Sequence, residues 1–293
     1  MKKYRFLLVY GVLLILFAVL LWNMNTLVLL GMDNSEKFVS SHIDYEGNSR
    51  VFLSVSSVET FDNWSESLSL SGWAFCETDG NNDEKSYDII LRNDKDTYAV
   101  HVAPVARRDV ASSYPDRKVA SIMNGIEMQA STIAVRDGIY SIYVYVHEND
   151  DNYGLIDTGR RIIKSRDRFE ELQYELVTEE LNAIISPSLR MNSKAALVNG
   201  ALRITGWSFV EGMETDNQEI MVMIETPDEE RIYRAKKNSR ADIISHFEND
   251  DYLYSGFEVE IPDWEGIEAY AVCIKVGDEV LRTEWEAIDL PLE

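Results

Sequence analysis

LSLSGWAF, Leu68 to Phe75, and LRITGWSF, Leu202 to Phe209, are two copies of one strand signature. Each places two aliphatic residues two positions apart, then a glycine, then an aromatic pair with the same spacing, which is the alternation of an extended strand. The parity changes on the way. Leu68 and Leu70 share one face while Trp73 and Phe75 share the other, and Leu202 and Ile204 stand against Trp207 and Phe209 in the same manner. A strand with a single buried face needs a correction between two such sets, because a slip of one residue inverts every side chain. Gly72 and Gly206 lie between the sets, so a bulge or bend at each glycine is expected, with Trp73 and Trp207 buried between sheets. The functional alternative for the indoles is a platform on which a sugar ring stacks.

Outward from the signature, the second half of the chain replays the first. Leu202 to Phe209 follow Leu68 to Phe75 at an offset of 134, and Val222 and Ile224 follow Ile89 and Leu91 at 133. Arg240-Ala241-Asp242-Ile243 follow Arg107-Arg108-Asp109-Val110 at 133. Gly256-Phe257-Glu258-Val259 follow Gly125-Ile126-Glu127-Met128 at 131, and Val272, Ile274 and Val276 are matched to Ile142, Val144 and Val146 at 130. Blocks in constant order at a slowly drifting offset mean one domain used twice, since two copies are too few for a solenoid. Short β-rich runs at Val51 to Val55, Tyr87 to Leu91, Tyr98 to Val102 and Ile139 to Val146 alternate with polar turns. The fold class expected is therefore all-β: two tandem immunoglobulin-like β-sandwich domains over residues 49–164 and 187–293. Between them, Phe169, Leu172, Leu176, Leu181, Ile184 and Ile185 recur at three to five residue steps among many Glu, which predicts a short linker helix over 165–186, with a strand competing for its last third.

The beginning of the chain reads as a membrane element. Lys2, Lys3 and Arg5 precede an apolar run from Phe6 to Trp22 that resumes at Leu27 to Leu30, enough to span a hydrocarbon core of about 30 Å. A cleaved signal peptide is the rival, but Leu20, Leu21, Trp22 and Asn23 offer no small-x-small cleavage site. The expected order is a cytoplasmic basic segment at 1–5, a single transmembrane signal-anchor helix at 6–30 and a polar spacer at 31–48. The basic cluster sets the N-terminus inside and the remainder extracytoplasmic.

Charge restricts the partners. With 28 Lys and Arg against 51 Asp and Glu, the net charge of −23 repels phosphates and anionic headgroups, so nucleic acid is excluded as a partner of the folded part. Cys76 and Cys273 occupy non-equivalent places, are expected as two buried thiols with a bridge between the halves as the alternative, and show no zinc spacing. His42, His101, His147 and His246 show neither metal-ligand spacing nor a nucleophile elbow nearby. The acidic loops Asp79 to Asp83 and Asn149 to Asp157 offer clustered oxygens but do not follow the calcium-loop pattern, Arg160 standing where a bidentate Glu belongs, so no cofactor or metal is expected, with a structural calcium as the minor alternative. No catalytic residue is assigned; a carboxylate pair for glycoside hydrolysis is defined by a distance that sequence does not contain.

The Arg-x-Asp pairs precede short stretches with helical character, Val110 to Tyr114 and Ile243 to Phe247. Asp109 and Asp242 are expected as N-caps, braced by Arg107 and Arg240. The alternative makes these residues ligand contacts, the ligand-binding candidates being Arg107, Asp109, Tyr114, Arg240 and Asp242. A Gly-Trp strand, then Arg-x-Asp-Val/Ile before a helical turn, then Gly-Phe/Ile-Glu opening a further strand, resembles the β-sandwich modules associated with bacterial glycosyltransferases and cell-surface polysaccharide loci. The matching residues are Gly72, Trp73, Arg107, Asp109, Val110, Gly125 and Ile126, and then Gly206, Trp207, Arg240, Asp242, Ile243, Gly256 and Phe257. Arg108 and Ala241 stand where many such modules carry proline, and no glycosyltransferase domain is expected within these 293 residues. The resemblance implies an envelope-glycan setting and transfers no catalytic residue. The function expected is a membrane-anchored, non-catalytic accessory of cell-envelope polysaccharide assembly or modification, binding a cell-surface glycan or a membrane-bound glycan-assembly enzyme. A protein-recruiting scaffold or sensor is the second reading, and an extracytoplasmic glycan hydrolase the third.

Overall fold

The computed structural model describes residues 17, 36–62, 66–77, 85–113, 122–149, 151–166, 168–178, 181–216, 218–227, 229–262 and 266–288. The expected membrane segment 6–30 lies outside them, Phe17 apart; among the described residues no helix is long and apolar enough to cross a membrane.

The described residues of the chain are mostly β-strand. Its first unit comprises β1 (Val39–Ser40), β2 (Val51–Phe61), β3 (Ser67–Cys76), β4 (Ser86–Arg92), β5 (Thr97–Val102), helix α1 (Arg108–Ser113), β6 (Gly125–Ser131), β7 (Gly138–Asn149), β8 (Asn152–Ser165) and β9 (Arg168–Glu171). A six-stranded sheet in the order β1-β5-β4-β7-β8-β9 packs on a three-stranded sheet, β2-β3-β6. Leu68 and Leu70 from the small sheet meet Ile89, Leu91, Ile142 and Val144 from the large one in a common core.

The second unit contains β10 (Glu175–Val177), β11 (Ala183–Ile185), β12 (Leu189–Val198), β13 (Ala201–Val210), β14 (Glu219–Glu225), β15 (Glu230–Arg234), β16 (Lys236–Asn238), helix α2 (Ala241–Phe247), β17 (Gly256–Ile261), β18 (Ala269–Val276), β19 (Glu279–Arg282) and β20 (Glu286–Ala287). Its large sheet runs β10-β15-β14-β18-β19-β11 and its small sheet β12-β13-β17-β16. Chain order and pairing therefore make β12-β13-β17 the counterpart of β2-β3-β6, and β15-β14-β18-β19 that of β5-β4-β7-β8. One block is matched differently from the sequence. Ile89 pairs with Val144 and Val222 with Val272, which puts Val272 opposite Val144 at an offset of 128 rather than 130. A two-residue shift leaves every side chain on its own face, so apolar alternation alone does not fix it.

Two further expectations are corrected. Among its described residues segment 165–186 carries strands and no helix: Arg168–Glu171 extends the first large sheet on β8, Glu175–Val177 pairs with β15, and Ala183–Ile185 runs parallel to β19. Its apolar residues are divided between two bodies, Phe169 entering the first core while Val177, Leu181 and Ala183 pack against Met221, Met223 and Cys273 on the outer face of the second large sheet. The spacer is likewise part of the fold from Glu36 onward. Phe38 is fully buried, β1 pairs with β5, and Tyr45 is buried edge-on against Tyr145. A single large aromatic anchors such a segment without any periodicity to announce it.

Cys76 and Cys273 are free and buried, and burial pushes both thiols up to about 12. We expect an aromatic disulfide reagent at pH 8 to find no reactive thiol in the native protein and two after denaturation; none after denaturation would show a bridge. Both thiols ionise only in the unfolded chain between pH 9 and 12, so their contribution to stability is complete below pH 9 and falls away as pH rises through that window.

The two units are joined by polar contacts of high specificity. Arg50 makes a bidentate pair with Asp216, 2.6 and 2.9 Å, and a third bond of 3.0 Å to Asp251. The Tyr254 hydroxyl accepts from the Leu53 backbone N–H at 2.5 Å and donates to the Val51 carbonyl at 3.2 Å, occupying the free edge of β2 as a neighbouring strand would. Ser239 reaches Ser54, and Arg160 reaches Asn238.

Candidate functional site

The recurring residues meet on the outer face of each small sheet. In β13, Leu202, Ile204 and Gly206 point to the large sheet, while Thr205, Trp207 and Phe209 point away from it. Alternation is kept through the glycine: Gly206 pairs regularly with Ser193 on one side and Phe257 on the other. The expected bulge is thus absent from the second copy, and in the first it lies on the partner strand, between Val55 and Ser57, opposite Gly72. Trp73 and Trp207 are half-buried: Trp73 stacks on Phe75 and packs against the margin of the first core, and Trp207 stacks on Phe209. Both parities are apolar because the sheet is covered on both faces. Phe209 stacks on Tyr252 with 3.8 Å between centroids and meets Phe247 at 5.0 Å, while Ile243 completes the cluster. In the first unit Phe52 stacks on Phe75 at 5.3 Å, and Leu253 and Tyr254 of the second unit are buried with them.

The glycine has a different task from the one expected. A Cβ on Gly206 would stand 2.2 Å from the Asn192 carbonyl oxygen, and one on Gly72 2.3 Å from that of Ser54. Each glycine admits the backbone of the neighbouring strand.

Trp73 pairs with Gly125, and Trp207 with Gly256. A Cβ on Gly125 would fall 2.6 Å from Arg107 Cγ, and one on Gly256 2.8 Å from Arg240 Cγ, so the glycine opening each strand makes room for an arginine stem. Arg107 then closes on Asp109 through bonds of 2.9 and 2.7 Å, and Arg240 on Asp242 at 2.8 and 2.6 Å. The arginine hydrogen bond is the chief reason both carboxyls titrate low, Asp109 at about 2. Neither aspartate is an N-cap. Asp109 and Asp242 are the second residues of their helices, and the cap position of α2 is Arg240 at φ −132, without a capping side chain. The carboxylate is turned toward the arginine two residues earlier and remains in the first turn, where the helix dipole also favours it. Tyr114 and the Asp79 to Asp83 loop lie outside the described residues; Asn149 to Asp157 form the β7–β8 turn and the start of β8.

Over the second small sheet these groups border a groove of about 460 Å³, lined by Asn192, Thr205, Trp207, Asn238, Arg240 and Glu258 among others. Asn192, Thr205, Glu258 and Asn238 share the face of Trp207 because each lies in register across neighbouring strands. Of the lining residues, the sequence motifs had singled out Gly206, Trp207, Arg240, Gly256 and Phe257. The polar alternates of β12 and β13 were the available signal for the others. Beyond Thr205 the polar residues continue along this face with Arg203, which pairs with Glu260.

A second cavity of about 370 Å³ lies between the units, lined by Tyr143, Asp157, Arg161, Glu219, Arg234 and Lys237 among others. Its charges are largely committed. Arg234 pairs with Glu219 and Glu175, Arg161 with Glu175, and Lys237 Nζ donates to the Thr215 and Asp216 carbonyls at 2.8 Å each. Burial raises the Asp157 carboxyl and lowers the Lys237 ammonium to about 8. Gly159, at φ +67, lets β8 approach Lys237, whose Cβ is 2.6 Å from where a side chain would begin.

No family model matches the chain, and no curated protein matches it in sequence. Among solved structures, a crystal structure of S. aureus TarS aligns with 84% of this chain at 8% identity and a TM-score of 0.24, over 44% of the TarS chain. A crystal structure of S. aureus TarS 217-571 aligns with 84% at 8% identity and the same TM-score of 0.24, over 70% of that chain. The chain thus spans less than half the length of the first of these structures.

Proposed function

We propose that this chain is a membrane-anchored, non-catalytic extracytoplasmic accessory of cell-envelope polysaccharide assembly or modification, built on two tandem immunoglobulin-like sandwiches, and that it binds saccharide in the groove over Trp207. The observation that carries the reading is the groove itself: a half-buried indole beside convergent amide, hydroxyl, guanidinium and carboxylate groups on a rigid sheet. An aromatic face takes the C–H face of a pyranose while the polar groups take its hydroxyls. The net charge of −23 favours a neutral glycan over a polyanion.

The test is glycan-array binding by the full-length chain in detergent. Retention of a neutral glycan, weakened about tenfold or ~1.4 kcal/mol by Trp207→Ala, is the expected result. Unchanged binding by the variant rejects the groove. No retained glycan, with a membrane enzyme recovered by cross-linking, rejects direct saccharide recognition. The second reading, recruitment of a protein, draws on Ile184 and Ile185. These are exposed on β11, the terminal strand of its sheet, where a partner strand adds in register. Release of shortened products from a retained glycan would move the assignment to a hydrolase.

A further inference from the structure

Lys85 lies immediately before β4, Asn124 immediately before β6, and Glu148 near the end of β7. The sandwich of the first unit thus brings together three side chains far apart in sequence. Lys85 Nζ and the Glu148 carboxylate are 2.8 Å apart with both side chains fully buried. The same Nζ lies 2.6 Å from Oδ1 of Asn124, which is also fully buried. Glu148 is held from behind: Asn152 Nδ2 donates to its Oε2 at 2.7 Å, and the Cys76 backbone N–H to its Oε1 at 3.1 Å. The Tyr87 ring stands 5.8 Å from the ammonium.

Stability alone is a poor reason for this arrangement, because desolvating two charges offsets most of their attraction. Nor does the architecture demand it. The second unit places Gln218 before β14 and Ser255 before β17. The pairing of Ser86 with His147 and of Glu219 with Lys275 puts Val276 at the place of Glu148. One architecture therefore stands with and without the three groups. In the second copy the side-chain polar atoms of Gln218 and Ser255 are buried with no hydrogen-bond partner among the described residues.

We propose that Lys85 and Asn124 join in an intramolecular amide cross-link, with Glu148 as the proton-transfer group. In the apolar interior Glu148 takes a proton from the Lys85 ammonium and leaves a neutral amine. The amine lone pair attacks the Asn124 carboxamide carbon, forming the Nζ–Cγ bond and moving the carbonyl π pair to Oδ1. Glu148 delivers its proton to Nδ2, the Cγ–Nδ2 bond breaks as the carbonyl re-forms, and the excess proton on Nζ leaves with the ammonia as ammonium. Lysine ammonium and carboxamide thus become secondary amide and ammonium, Glu148 ends as the carboxylate it began as, and no oxidant or cofactor is consumed. The bond ties the start of β4 in the large sheet to the start of β6 in the small one, locking the sandwich at that end.

Intact-mass measurement of the denatured full-length chain decides the matter. The expected mass is about 17 Da below that of the sequence, one ammonia lost per bond formed. Proteolysis should yield one branched peptide containing both Lys85 and Asn124. Lys85→Arg and Glu148→Gln should each return to the full mass, and Asn124→Asp should lose water in place of ammonia. A wild-type chain at full mass overturns the proposal without reference to whether any variant folds. So does a 17 Da loss with the two peptides unlinked, which a succinimide at Asn124-Gly125 would produce.

Discussion

Arg50→Ala is expected to lower the stability of the whole chain by about 3–5 kcal/mol, the range for removing one member of a buried ion pair. The side chains of Arg50 and Asp216 are only 12% and 10% exposed, so water does not replace the lost guanidinium. Asp216 would be left with both oxygens deprived of their donors and Asp251 with one partner fewer, and the Phe52 ring would lose the cation 5.2 Å from its centroid. At about 2–4 °C per kcal/mol for a body of this size, the melting temperature should fall by roughly 10 °C. Arg50→Met combined with Asp216→Leu should recover most of the loss, because no buried charge is stranded and Asp251, 38% exposed, turns to water. A fall of less than about 1 kcal/mol for Arg50→Ala would show that the pair behaves as an exposed one.

Gly206→Ala is the second large effect, about 3 kcal/mol, at the upper end of what overpacking costs. The added methyl meets a backbone oxygen at 2.2 Å, and backbone in a paired strand has no rotamer to yield. β12 must move away from β13, disturbing both the sandwich core and the groove floor. Gly72→Ala should cost the same, since its Cβ would lie 2.3 Å from the Ser54 carbonyl. Gly200→Ala is the comparison: nothing lies within 4 Å, so only its φ of +83 opposes a side chain, at about 1 kcal/mol. Denaturant unfolding of the three variants measures the order. Equal losses at all three sites would reject the close-approach explanation.

The strands at Tyr87 to Leu91 and Ile139 to Val146 lie where alternation put them, and the pairing β12-β13-β17 repeats that of β2-β3-β6 in the order of the motifs. What alternation does not convey is how many faces of a strand are covered. Trp73 and Phe75 were expected to share the inter-sheet core with Leu68 and Leu70 because one buried face was assumed. A second cover, furnished by a helical turn and, in the first unit, by Leu253 and Tyr254 from more than 170 residues away, removes the need for a bulge. Segment 165–186 misled for a related reason, its apolar residues serving different bodies while their spacing imitated one helical face. At the site, the motifs Gly-Trp, Arg-x-Asp and Gly-Phe were legible singly. Their convergence was not, since it rests on Trp207 pairing with Gly256 and on Gly256 yielding space to Arg240. Asn124 and Glu148 carried no periodic signal, each being one polar residue at the margin of an apolar strand.

The stretch from Ala241 to Tyr254 serves two bodies at once: Ile243 and Tyr252 close the second unit's aromatic cluster, while Leu253 and Tyr254 complete the first unit's core and the edge of β2. During synthesis, Phe52, Phe75 and that open edge emerge long before the residues that cover them. The N-terminal copy therefore waits on the C-terminal one. The nascent chain thus passes through an interval in which β2 offers an unpaired edge to any neighbour, closed only when Leu253 and Tyr254 have been made.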